Sequence, residues 1–110
     1  MMKSEIRNGI PWTDGDEALI TELSKEEQKI ILDWIDENII PRKNVLHGHS
    51  SYGIKHIQEH DTKIYLTNNQ FKHAMLLAGY EPYDEHMLNW IYCISKKSKC
   101  FEYKRRGYIC

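Results

Sequence analysis

The stretch TNNQFKHAMLLAGYEP, residues 67–82, decides the fold because it predicts a helix together with the residues that begin and end it. Thr67 and Gln70 form a capping box, in which each side chain satisfies a backbone N–H of the first turn. Four apolar residues follow at the spacing of one helical face: Phe71, Ala74, Met75 and Ala78. Gly79 favours the left-handed backbone that commonly follows a helix, and Pro82 prevents the helix from continuing.

A second capping box lies upstream, where Ser24 is followed three residues later by Glu27. Apolar residues then recur at helical spacing, at Ile30, Ile31, Trp34, Ile35 and Ile39. Pro41 ends this pattern. The sequence therefore predicts an amphipathic helix over about residues 24–40, with acidic residues in its first turn.

The remaining segments predict one more helix and two short strands. A helix over about 51–60 can begin at Ser50 or Ser51. KIYL, residues 63–66, and NWIYCIS, residues 89–95, are rich in β-branched and aromatic residues and predict strands. This order of elements resembles a winged helix-turn-helix, with EPYDEHML, residues 81–88, as the tip of the wing. The predicted fold class is α+β: a small single domain of three helices with a short β-sheet.

The chain of 110 residues is short enough to form one domain. Residues 1–22 are dense in turn formers and are predicted to be an irregular N-terminal arm. Residues 23–95 then form the winged-helix-like α+β domain. Residues 96–110 form a basic C-terminal tail.

Charge is distributed unevenly along the chain, although the net charge is only −1. Residues 1–40 carry ten acidic and four basic side chains, whereas residues 41–110 carry six acidic and eleven basic ones. This split favours one acidic and one basic face, and an ordinary solvated surface is the alternative.

The sequence predicts a cytoplasmic protein of a bacterial host cell without a membrane partner. No run of apolar residues approaches the roughly 18 needed for a membrane-spanning helix, and the polar N-terminus does not resemble a signal peptide. Cys93, Cys100 and Cys110 are odd in number and do not form a C-x-x-C pair, so we expect reduced thiols.

HIQEH, residues 56–60, matches the H-x-x-E-H string in which some zinc peptidases hold two metal ligands and a general base. The later acidic residues that would supply a third ligand fall in predicted loop or tail. A structural zinc site is the alternative, with ligands from His47, His49, His56, His60 and Cys93 or Cys100. Two solvated or core-edge histidines on a helix face explain the match best. We therefore predict no catalytic residues, no metal, no cofactor and no enzymatic activity.

Three stretches of the chain share a wider pattern: SSYGIKH (50–56), YLTNNQFKHAMLLAGYEPYDE (65–85) and NWIYCISKKS (89–98). Together they resemble a family of small accessory proteins carried by phages and mobile elements of Gram-positive bacteria. The resemblance covers about residues 50–98 and implies a phage or mobile-element origin, but it implies no particular activity. Within the pattern, the side chains hardest to assign to a core are polar: Lys55, His56, Asn68, Lys72 and Asn89. Each has a structural alternative, such as capping or bonding a backbone carbonyl.

Two functional hypotheses follow. The first is a protein-binding inhibitor of a host nucleic-acid-targeting defence nuclease, of the anti-CRISPR type, whose acidic half mimics nucleic acid. The partner would be the nuclease or its nucleic acid, with the basic tail contacting guide RNA or an acidic patch. The alternative is a winged-helix DNA-binding regulator acting on duplex DNA. The candidate binding residues are Lys55, His56, Asn68, Asn69, Lys72, His73, Lys96, Lys97, Lys99, Lys104, Arg105 and Arg106.

In the DNA-binding hypothesis, the third helix enters the major groove. Asn68, Asn69, Lys72 and His73 lie at its leading end, where asparagine can pair with adenine. The lysines and arginines of the tail would then contact phosphates. The slightly acidic whole chain and the long linker before this helix count against the hypothesis, because DNA-binding domains are more often strongly basic.

Overall fold

The computed structural model describes residues 18–102, in which three α-helices pack around one core. We label the helices α1 (Lys25–Asn38), α2 (Ser51–Thr62) and α3 (Asn68–Leu77). Short 3₁₀ helices precede α1 at Ile20–Glu22 and close the described chain at Lys99–Phe101. The three predicted helices are therefore confirmed.

Helix α1 begins at the predicted capping box. The Ser24 hydroxyl accepts the Glu27 N–H at 3.1 Å, and the Glu27 carboxylate accepts the Ser24 N–H at 3.4 Å. Ile31, Trp34 and Ile35 are buried on its inner face. Four of the five residues predicted from the apolar spacing, including Ile39, thus lie against the core, whereas Ile30 is 47% exposed.

Helix α3 has both of its predicted ends. Thr67 and Gln70 exchange side-chain to backbone hydrogen bonds of 3.0 Å each, as a capping box requires. At the other end, the Tyr80 N–H donates to the Met75 carbonyl at 2.8 Å and the Gly79 N–H donates to the Leu76 carbonyl at 3.0 Å. These two bonds form a Schellman motif, which requires the positive φ of 98° that Gly79 adopts.

Helix α2 runs two residues further than the sequence predicts, to Thr62. Lys63 ends it in the left-handed conformation, with φ 64° and ψ 18°, and donates its N–H to the Glu59 carbonyl at 2.8 Å. Because Lys63 belongs to this helix end, KIYL (63–66) does not form the predicted strand.

The predicted α+β class is wrong for the described residues. Residues 18–102 contain no β-strand and no sheet, and their one bridge joins Pro41 to Ile94 in antiparallel orientation. The chain is mostly α, and neither the short β-sheet nor the β-hairpin wing of a winged helix is present in this part of it.

The segment NWIYCIS (89–95) is extended and has the alternation of a strand, because Trp90, Tyr92 and Ile94 are buried while the residues between them are less so. Its backbone, however, meets an irregular neighbour. The bonds between this segment and residues 42–51 are Arg42 N–H to Cys93 (3.0 Å), Leu46 N–H to Tyr92 (2.9 Å) and Ser51 N–H to Trp90 (2.6 Å). From one bond to the next, the donor moves four or five residues along 42–51, while the acceptor moves only one or two residues along 89–95. A regular β-ladder needs equal steps on both strands, so it cannot form here.

The packed unit extends beyond the predicted domain limits of 23 and 95. Ile20 is fully buried before the first limit, and Ser98 and Cys100 are fully buried after the second. The Ser98 hydroxyl accepts the Ile40 N–H at 2.8 Å, which ties the last described turn to the end of α1. The rest of the predicted arm, residues 1–17, and of the predicted tail, residues 103–110, lies outside the described residues.

We expect Tyr92→Phe to stabilise the protein. The Tyr92 side chain is fully buried, and its hydroxyl has no hydrogen-bond partner in residues 18–102. Leaving such a group unsatisfied costs about 1–3 kcal/mol, so its removal should raise the free energy of unfolding by about 1 kcal/mol. Urea denaturation followed by circular dichroism measures this change.

Tyr80→Phe is the matched control, because the Tyr80 hydroxyl donates to the Ile39 carbonyl at 3.1 Å. Its loss should lower the free energy of unfolding by about 0.5–1.5 kcal/mol. A Tyr92→Phe protein that unfolds at lower urea concentration than the natural chain contradicts the prediction.

Candidate functional site

The predicted base-reading side chains of α3 lie largely inside the molecule. Asn69 and Lys72 are fully buried, His73 is nearly so, and Asn68 is half-buried. A side chain enclosed in this way cannot reach a base edge in a DNA groove. The structure therefore gives no support to α3 as a recognition helix.

Three polar side chains of α3 hold the chain that precedes α1. The Asn69 amide donates to the Ala18 carbonyl at 2.7 Å, and the Gln70 amide donates to the Leu19 carbonyl at 3.2 Å. The Ile20 N–H in turn donates to the His73 Nδ1 at 3.2 Å. These bonds anchor the turn that places Ile20 in the core.

Asn68 performs the same task on the other side of α3. Its amide donates to the Leu88 carbonyl at 3.2 Å and to the Asn89 side-chain oxygen at 3.0 Å. Its own oxygen accepts from the Ser51 hydroxyl at 3.0 Å, and that hydroxyl also accepts the Trp90 N–H at 3.0 Å. Asn68 and Asn89 thus have structural partners, which was the alternative reading of both residues.

Two buried lysines rest against aromatic rings. The Lys72 ammonium lies 4.7 Å from the centroid of Trp90. The Lys55 ammonium lies 4.8 Å from the centroid of Tyr65 and 5.4 Å from that of Tyr52, and 3.7 Å from the Glu59 carboxylate. Ring faces attract cations, and Glu59 supplies a counter-charge, so both effects offset the cost of burying Lys55.

The HIQEH residues meet on one surface. His56, Glu59 and His60 line an open groove of about 460 Å³ together with Lys63 and Tyr65. Nevertheless, the part of the chain that the structure describes contains no group of three or more His, Cys, Asp or Glu side chains able to hold a metal ion. The geometry therefore offers no zinc-peptidase centre there.

The other proposed zinc ligands are dispersed. His49 stacks on Phe101 with 4.0 Å between ring centroids, and His47 meets Tyr83 edge-on at 6.3 Å. Cys93 and Cys100 are free thiols, and burial raises the pKa of Cys100 to about 12. A thiol with so high a pKa is a poor nucleophile and a poor metal ligand at neutral pH.

The predicted phosphate contacts of the tail are partly described. Lys96, Lys97 and Lys99 are exposed, and we call them the basic cluster. The exposed Lys43 lies on the neighbouring loop, whose Arg42 N–H bonds to the Cys93 carbonyl. Lys104, Arg105 and Arg106 lie outside the described residues.

Helix α1 presents five carboxylates to solvent, and we call this set the acidic face. Its members are Glu26, Glu27, Asp33, Asp36 and Glu37, and all five are exposed. Lys29 pairs with Asp33 at 2.8 Å. The last turn carries Asp36 and Glu37 and no basic residue. The sequence predicts an acidic half of the chain, and it predicts a solvated helix face, with no catalytic carboxylate pair, for Asp33, Asp36 and Glu37.

No protein-family model, curated protein or solved structure matches this chain. The resemblance to phage and mobile-element proteins therefore stays a prediction. Among residues 18–102, no helix has the length and apolar character needed to cross a membrane.

We expect the stability of the protein to fall as the pH drops below about 7, in part through His73. Burial lowers the pKa of His73 below its usual value, and a proton on Nδ1 would remove the acceptor of the Ile20 N–H. The unfolded chain takes up a proton near pH 6.5, before the folded chain does, so protonation favours unfolding as the pH falls from about 7.5 to 5.5.

His73→Asn tests this contribution, because the asparagine oxygen can accept the same bond without titrating. The urea concentration at the midpoint of unfolding should decrease less in this variant than in the natural chain when the pH is lowered from about 7.5 to 5.5. These values lie on either side of about 6.5, the usual pKa of histidine. His49→Asn serves as a parallel variant, since burial also lowers the pKa of His49. An equal loss of midpoint in all three proteins contradicts the prediction.

Proposed function

We propose that this chain is a non-enzymatic binding protein that inhibits a nucleic-acid-targeting nuclease of a bacterial host, as anti-CRISPR proteins do, and that it acts in the host cytoplasm. The observation that carries the proposal is the acidic face of α1. The negative charge of the acidic face is complementary to the positive charge of the channel through which such a nuclease binds its nucleic acid.

The density of charge on the acidic face resembles that of a nucleic-acid strand. At a rise of about 1.5 Å per residue, Glu26 and Glu37 are about 16 Å apart along the helix axis. One strand of duplex DNA carries about five phosphates over that length, at 3.4 Å per charge. The acidic face carries five carboxylates. Asp33 is paired with Lys29, and Glu27 accepts the Ser24 N–H, while Lys25 adds a second exposed base to the same helix.

The placement of Asp36 and Glu37 opposes the stability of α1. The C-terminal turn of a helix carries a partial negative charge, so carboxylates there are unfavourable. No basic side chain in residues 18–102 forms an ion pair with either residue. The basic cluster nevertheless lies near this end of the helix, where the Ile40 N–H donates to the Ser98 hydroxyl. Because Asp36 and Glu37 occupy positions that destabilise the helix, a role in binding explains them better than a role in folding.

We expect the double change Asp36→Lys with Glu37→Lys to stabilise the fold and to abolish inhibition. Lysines in the last turn complement the helix dipole, which should raise the free energy of unfolding by about 0.3–1 kcal/mol per residue. The same change reverses the charge at the acidic face. Thermal melts measure the first effect, and plasmid interference by a panel of CRISPR nucleases measures the second.

Asp36→Asn with Glu37→Gln is the matched control, because it removes the charges and keeps the shapes. Its inhibition should lie between that of the natural chain and that of the lysine variant. Unchanged interference by every effector type in the presence of the natural chain would overturn the inhibitor proposal. Inhibition that survives in a stable lysine variant would place the contact elsewhere.

A second candidate function, nucleic-acid binding, is favoured by the basic cluster alone. Exposed lysines contact phosphates without reading sequence. Residues 18–102 contain no β-hairpin wing, and the polar residues of α3 are largely buried, so neither offers base readout. Any binding should therefore be sequence-independent and strongly dependent on salt.

We expect a labelled 30-base-pair duplex to bind with a log K that falls by about 0.9 per phosphate contact for each unit of log salt. The triple change Lys96→Ala, Lys97→Ala and Lys99→Ala should reduce that slope by about 2.7 if each lysine makes one contact. Fluorescence anisotropy measures both values. Absence of binding even near about 50 mM salt would exclude this function for the free protein.

A further inference from the structure

The groove beside α2 contains a residue whose backbone is costly to form. Lys63 is the one non-glycine residue with positive φ in residues 18–102, and it occupies a helix end where glycine is preferred. A left-handed conformation costs a residue with a Cβ about 1–2 kcal/mol. At the equivalent end of α3 the chain has Gly79, which avoids this cost.

The side chain of Lys63 is therefore the feature to explain. It is exposed and lines the groove. No carboxylate in the described part of the chain forms an ion pair with its ammonium group. A strained backbone position that presents a cation to an open groove is typical of a binding site.

An exposed aromatic ring lines the groove together with this cation. Tyr65 is 65% exposed, and Tyr52, which is 49% exposed, lies outside the groove lining. Both rings are held by the buried Lys55 ammonium beneath them, at 4.8 and 5.4 Å from their centroids. The rings are thus positioned before any ligand arrives, which lowers the entropy cost of binding.

The charges of the groove favour an anion. Glu59 lies 3.7 Å from the Lys55 ammonium, so these two groups offset one another. Lys63 remains, since no carboxylate in residues 18–102 pairs with it. His56 and His60 also line the groove, and the Asp61 carboxylate lies 3.5 Å from the His60 Nδ1. A cation next to an exposed ring suits a phosphate joined to a planar base, the combination that single-strand binding proteins recognise.

We propose that this groove binds one nucleotide of a single-stranded nucleic acid, with the base stacked on Tyr65 and the phosphate beside Lys63. A duplex fits the groove less well, because its bases are stacked on each other and do not expose their faces. The volume of about 460 Å³ is within the range of small-ligand sites. The groove shares no residue with the acidic face of α1, so the site adds to the proposed function without depending on it.

The test is a titration of the full chain with the oligonucleotide (dT)₆, in which binding is monitored through the NMR signals of the His56 and His60 rings. We expect saturable shifts of both signals. Tyr65→Leu should weaken binding about 5- to 150-fold, which corresponds to the 1–3 kcal/mol of one stacked base. Lys63→Gly should weaken binding about tenfold while the urea midpoint stays equal or rises, because glycine fits the left-handed backbone.

Lys25→Ala is the matched control, because it removes an exposed lysine of α1 that does not line the groove. It should leave the histidine shifts and their midpoint unchanged. Absence of shifts with (dT)₆, shifts that survive both Tyr65→Leu and Lys63→Gly, or equal affinity for inorganic phosphate would each overturn the nucleotide site. None of these results bears on inhibition of a nuclease, which the acidic-face variants measure separately.

Discussion

The fold depends on α3, a ten-residue helix enclosed by the rest of the chain on its apolar and its polar sides. A buried polar group without a partner costs about 1–3 kcal/mol, so every amide on this helix must find one. Asn68 bonds to the 88–90 segment, and Asn69 bonds to the segment before α1. These bonds fix the positions of two irregular stretches. They do so more specifically than apolar contacts could, because a hydrogen bond forms only when a particular donor meets a particular acceptor at the right distance and angle.

The irregular stretch 89–95 shows how such anchoring substitutes for a sheet. Its buried side chains alternate with less buried ones as in a strand, yet its backbone bonds are shared among loop residues at uneven intervals. Ser51, the first residue of α2, supplies bonds that a sheet would otherwise provide to this stretch. Its hydroxyl accepts the Trp90 N–H and donates to the Asn68 side chain. One small hydroxyl thereby joins α2, α3 and the extended segment.

Local signals in the sequence predicted the helices well. Ser24 with Glu27 and Thr67 with Gln70 are capping boxes, and Gly79 ends α3, because each of these effects acts within one helical turn. The sheet could not be predicted in the same way: alternation in NWIYCIS (89–95) indicates an extended backbone but not whether a partner strand exists. For the same reason, burial of Asn69 and Lys72 could not be read from their spacing, since a polar side of a helix faces solvent or a polar partner with equal ease.

The candidate sites follow from a different criterion, namely which residues oppose stability where they stand. Asn68, Asn69 and His73, which the sequence predicts as binding residues, bond to neighbouring parts of the fold, so they are poor evidence of function. Asp36 and Glu37 oppose the dipole of α1, and Lys63 adopts a conformation that favours glycine. Tyr65, which lines the groove with Lys63, is 65% exposed. Residues that cost stability and contribute little to packing are the ones for which binding is the better explanation, and here they belong to two sets that share no residue.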